Sequence, residues 1–167
     1  MKTWIVAGLL LFTFLLQLSI TPFLSLGGVK PDLVVLLVTV LGVVFGSSFG
    51  LGAGIVSGLV ADIFFGRYIG IHALSLGILG YLAGLAEHQV YREQSLVQVT
   101  TAMVATAFHQ LVFMILLIAV GPRLPLGAAI GRTIIPVALY NGVLGPFVFR
   151  AIFRLQQWSQ KRTERAS

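Results

Sequence analysis

Charged residues are so sparse in this chain that they mark off long apolar stretches. None lies between Lys2 and Lys30, Asp32 and Asp62, Arg67 and Glu87, Glu93 and Arg123, or Arg132 and Arg150. A bilayer core about 30 Å thick is crossed by roughly 20 apolar helical residues. The pattern therefore predicts six helical segments, at about residues 3–26, 32–45, 48–65, 69–86, 96–120 and 133–149. Together they form one transmembrane domain over residues 1–155, followed by a basic tail over 156–167. The run from Asp32 to Phe65 is too long for one span and short for two. Gly46-Ser47-Ser48 breaks it, predicting two short helices joined by a minimal turn, with a re-entrant hairpin as the alternative.

Composition sharpens this picture. Hydrophobic residues make up 57% of the chain and charged residues 10%, against about 25% charged in ordinary globular domains. The expected fold class is an all-α polytopic membrane protein, a six-transmembrane-helix bundle. A soluble domain, a disordered chain, a secreted disulfide scaffold and a nucleic-acid-binding protein are excluded together. The absence of cysteine removes disulfides and thiol chemistry. The first apolar stretch is too long for a signal peptide and lacks a small-residue cleavage site, so it reads as a retained span.

The net charge of +6 reports topology. With six crossings, one side holds Lys2, Arg92, Arg150, Arg154, Lys161, Arg162 and Arg165, and the other holds Lys30, Arg67, Arg123 and Arg132. The richer side is cytoplasmic by the positive-inside rule, which places both termini there. Trp4, Tyr91 and Trp158 fall near the same boundary, as interfacial aromatics do. Past the last span, the cations accompany Phe153, Leu155 and Trp158, a pattern suited to anionic lipid headgroups.

Small residues give the clearest local signal. Gly50, Gly54 and Gly58 recur every fourth residue, and Asp62 continues the series on the same helix face. The next segment carries Ala73, Gly77, Gly80 and Gly84. Such seams permit close helix approach in lipid, so helix packing is the first reading and partner docking the second. Asp32 follows Lys30-Pro31 and suits the cap of the second helix. Asp62 is close enough to Arg67 to pair with it at the outer boundary, with His72 at a similar level. His109 lies mid-span beside Gln110 and is expected to hydrogen-bond across helices. His88 reads as a solvated loop residue. Pro136 and Pro146 in the last segment, near Tyr140 and Asn141, predict a kinked helix that either lines a cavity or shapes packing. No metal-ligand spacing, nucleophile arrangement or phosphate loop is present, so neither a cofactor nor an enzymatic activity is expected.

Several of these residues carry a resemblance. Lys30-Pro31-Asp32-Leu33 opens a short apolar helix, and a glycine-rich helix ends at Asp62. Ile69-Gly70-Ile71-His72-Ala73-Leu74 and Gly80-Tyr81-Leu82-Ala83-Gly84 follow. In length, hydropathy and this order of motifs the chain resembles the bacterial rod shape-determining MreD family, which more often has Asn at position 72. The motifs lie between residues 30 and 84, and the last two segments match in general character.

The resemblance implies a non-enzymatic scaffold of the cell-elongation machinery in the bacterial inner membrane. It would bind the single-span protein MreC and help couple MreB filaments to RodA and its transpeptidase partner during sidewall peptidoglycan synthesis. It also implies a fold like the substrate-binding components of energy-coupling-factor vitamin transporters, which makes a vitamin-binding component the alternative function. Those components dock through a small-residue pair in their first helix. Here Ala7-Gly8 is followed by bulky Leu and Phe, so the pair is missing.

Overall fold

The structure is a computed structural model and describes residues 3–19, 29–65, 68–86, 94–121 and 130–164. Among these are six α-helices: α1 (Thr3–Ser19), α2 (Leu33–Phe45), α3 (Ser47–Phe65), α4 (Ile71–Leu85), α5 (Ser95–Val120) and α6 (Ile135–Glu164). A π-helical turn, Ile130–Ile134, leads directly into α6.

The organisation follows from α2. Its sequence LVVLLVTVLGVVF has no polar stripe, and a helix apolar on every side must be surrounded. It is: every residue from Val34 to Val44 is buried, and α2 touches each of the other five helices. One apolar cluster joins Leu37, Val40, Leu41 and Val44 to Val6, Ala53, Phe149 and Ile152. A second joins Val34, Val35 and Val38 to Phe14, Ala61, Leu76, Leu79 and Ala105. At 13 residues, α2 is about 20 Å long, shorter than the hydrocarbon layer.

Gly46 ends α2 at φ +88°, a conformation that favours glycine, and Ser47 already begins α3. The expected minimal turn is thus a single residue. Helix α3, α5 and the first part of α6 are long and apolar enough to cross a membrane, over Ser47–Phe64, Ser95–Val120 and Ile135–Trp158. Helices α1, α2 and α4 are shorter apolar helices.

The prolines behave differently from each other. Pro136 sits in the first turn of α6, directly after the π-helical turn. Pro146 lies inside the helix and removes an interior hydrogen bond. The helix continues past Arg150 and Arg154 as one element to Glu164. Arg150 donates to Ser95 Oγ at 3.0 Å, tying α6 to the first turn of α5.

Candidate functional site

The two glycine seams face each other. A Cβ added to Gly54 would collide with the Leu76 carbonyl, one on Gly58 with the Ala73 backbone, and one on Gly84 with the Ser47 backbone. Between them, three helices converge on three glycines. A Cβ on Gly42 of α2 would lie 2.6 Å from the Gly80 carbonyl oxygen, and one on Gly50 would lie 2.8 Å from Gly42 Cα. Gly80 in turn abuts the Gly50 carbonyl. Gly77 is looser, since a Cβ there would meet only side chains, Ile55 at 3.0 Å and Leu51 at 3.5 Å. Gly42 adds a third helix to a seam that spacing alone assigns to two.

At the end of this seam Asp62 is 1% exposed. Its Oδ2 accepts from Gly70 N at 2.8 Å and Ala73 N at 3.2 Å, while Oδ1 accepts from His72 N at 3.0 Å and His72 Nδ1 at 2.8 Å. Gly70, at φ +104°, precedes α4 and has no side chain with which to cap it. Asp62 performs that task from the neighbouring helix, and the exposed N–H groups at the helix start stabilise its buried charge. The residues around Asp62 are therefore His72 and the α4 backbone. Arg67, its expected partner, lies outside the described residues, as does His88.

Two side-chain amides hold the entry to α2. Gln17 Nε2 donates to the Pro31 carbonyl at 3.1 Å, and Gln17 Oε1 accepts from Leu33 N at 2.9 Å. Asn141 Oδ1 accepts from Asp32 N at 3.0 Å, and Asn141 Nδ2 donates to the Asp32 carbonyl at 3.1 Å and to Thr106 Oγ1 at 3.0 Å. Asp32 Oδ1 takes the Val35 N–H, capping α2. Pro31 needs no N–H partner, so each backbone polar group from the Pro31 carbonyl to Leu33 N is satisfied by a side chain. This is how non-helical chain can enter a packed apolar bundle, with Pro31 itself buried. Spacing could not reveal the clamp, because Asn141 is 109 residues from Asp32. Gln17 left one signal, an isolated amide in the apolar run of α1.

His109, 3% exposed, lies 3.3 Å from Ser75 Oγ through its Nε2, a contact between α5 and α4. Phe113 packs against both imidazoles, its ring centroid 4.5 Å from His72 and 6.2 Å from His109. Between the Asp62 cap and the Asp32 clamp lies a cavity of about 330 Å³, whose polar lining is Gln17, Lys30, Asp32, His72 and His109. Lys30 is exposed at the entry to α2. No cluster of three His, Asp or Glu side chains capable of holding a metal occurs among the described residues.

These features define a helical membrane protein in which Asp62, Gln17 and Asn141 cap and clamp the backbone of neighbouring segments. The chain belongs to the rod shape-determining MreD family: the family model described as rod shape-determining protein MreD matches residues 1–155. That family is a shape-determining, structural one, so this is a rod-shape-determining membrane protein. No curated protein and no solved structure matches the chain. The expected likeness to transporter substrate-binding components rests on the family resemblance alone.

Proposed function

We propose that this protein is a non-enzymatic scaffold of the cell-elongation machinery. In this reading it binds MreC within the inner membrane and helps couple MreB to RodA and its transpeptidase partner. The observation that carries the reading is the family match over residues 1–155 of a 167-residue chain. The architecture supports it physically. A scaffold needs a rigid core and apolar outer faces, and here the glycine seams are used for α3–α4 contact. Exposed side chains such as Val56, Leu59 and Ile63 on α3 and Leu111 and Ile115 on α5 remain for lipid or another helix.

In this reading both termini lie in the cytoplasm, which the excess of lysine and arginine on that side supports. The basic end of α6 then meets anionic headgroups, each cation contributing about 1 kcal/mol. The glycine seams are assigned to internal packing and MreC to an outer apolar face. Affinity purification of the tagged protein from membranes of a rod-shaped host tests the partner. MreC should be recovered in stable association, and its absence from purifications that retain intact protein would contradict the proposal. The alternative, a vitamin-binding transporter component, has a cavity in its favour but not the family match.

A further inference from the structure

We propose that the cleft between α1 and α3 binds one phosphatidylethanolamine molecule, its headgroup held by Lys30 and Asp32 and one acyl chain lying beside Phe14. Helix α1 rests chiefly on α2. Where it passes α3, two cavities adjoin and share Phe14 and Val34 in their walls. One is the space of about 330 Å³ beside the Asp32 clamp. The other, about 170 Å³ and deeper in the bundle, is lined by Leu10, Leu11, Leu37, Val56 and Val60. Its polar side chains are Thr13 and Ser57, and the Ser57 hydroxyl already donates to the Ala53 carbonyl at 2.6 Å. Leu11 and Val56, 63% and 52% exposed, open this slot sideways. Water finds too few polar partners there, and an empty slot would forfeit dispersion contacts along both helices. A hydrocarbon chain from the surrounding bilayer supplies them.

The length of the slot sets how much chain it takes. From Leu10 to Gln17 the helix rises about 10 Å, against roughly 15 Å for half of the hydrocarbon layer. The first part of the chain therefore lies against the protein, and its end rejoins the bilayer. At the polar end two opposite charges stand unmatched. Lys30 is exposed and makes no ion pair or hydrogen bond among the described residues. Asp32 Oδ1 takes the Val35 N–H, while Oδ2 is accessible and has no partner among the described residues. Both residues also line a second cavity of about 310 Å³, with Gln110 and Thr133, so they stand where the two spaces meet. A phosphate joined to a primary ammonium complements the pair. The phosphate accepts from Lys30, and the ammonium donates to Asp32 Oδ2. A choline headgroup keeps the charge but has no N–H to donate, and a glycerol headgroup has no cation. The site lies at the α2 entry, so its lipid belongs to the leaflet opposite the basic end of α6. The inference does not depend on the scaffold role, and either can fail alone.

The test uses the full chain in maltoside micelles, with bound lipid counted by native mass spectrometry. Its probes are phosphatidylethanolamine, phosphatidylcholine and phosphatidylglycerol with identical acyl chains. One phosphatidylethanolamine should be retained, about tenfold more tightly than either competitor. Asp32→Asn should erase that preference, and the Asn side chain can still accept the Val35 N–H and cap α2. Lys30→Gln should weaken all three lipids by about tenfold, since each carries the phosphate. Val56→Trp fills the slot from its exposed wall and should weaken all three to a similar degree. If that variant does not fold, Leu11→Trp takes its place. Glycerophosphoethanolamine, the headgroup without chains, should not displace the lipid at equal concentration. Equal retention of the three lipids would identify ordinary annular lipid, and displacement by the chainless headgroup would remove the slot from the site. Either result would overturn the proposal, as would no retained lipid, a preference that survives Asp32→Asn, or unchanged binding in Lys30→Gln or the tryptophan variant.

Discussion

Asp62 shows how an acidic side chain becomes affordable inside an apolar bundle. Four N–H groups converge on it, three from the backbone at the start of α4 and one from His72. Replacing it with Ala would leave these donors unmet and the α4 start uncapped, lowering stability by about 3 kcal/mol in thermal unfolding of the detergent-solubilised protein. His72 is more replaceable. The Nδ1 of His and the Nδ2 of Asn are both donors attached to Cγ, so His72→Asn can keep the bond to Asp62. We expect it to stay within about 0.5 kcal/mol of the parent, while His72→Leu loses about 1 kcal/mol. Equal losses in the two variants would show that the bond to Asp62 is not what position 72 supplies. Helical spacing brought Asp62 and Arg67 together as a pair. It could not show that the carboxylate reaches over a turn to cap the following helix, because that contact depends on how α3 and α4 cross.

At the scale of elements, the spacing of Gly50, Gly54 and Gly58 puts them on one face of α3, and the fold supplies what lies against it. Small residues gain contact only when another backbone comes close, and here α4 does so along the length of the seam. Gly54→Ala should lower the unfolding free energy by more than about 2 kcal/mol, since even a methyl group meets the Leu76 carbonyl. Gly52 is the internal control. It lies in the same helix with nothing within 4 Å of an added Cβ, and Gly52→Ala should raise stability by up to about 1 kcal/mol through helix propensity. Both are read by thermal unfolding, and similar behaviour of the two variants would contradict the packing assignment. The break at Gly46 was legible because glycine and serine interrupt an otherwise continuous apolar run. Gly42 was not, because a single glycine in a valine-rich helix carries no periodic signal.

For the whole molecule, hydropathy was enough to read the helical class, since apolar stretches of this length have no stable home in water. The central place of α2 was also latent in its sequence, which offers no polar face to solvent. The polar interior was less accessible. Asp32 announced itself through Lys30-Pro31, but the amides that complete its surroundings come from opposite ends of the chain, Gln17 on α1 and Asn141 on α6. No local pattern pairs residues so far apart, because their meeting is a consequence of topology. The role in rod shape rests on the family to which the chain belongs, and cell morphology tests it most directly. In a rod-shaped bacterium depleted of its own family member, expression of this protein should restore cylindrical cells, whereas Asp62→Ala should fail to do so in proportion to its lost stability. Cells that stay round although the intact protein accumulates in the membrane would contradict the account.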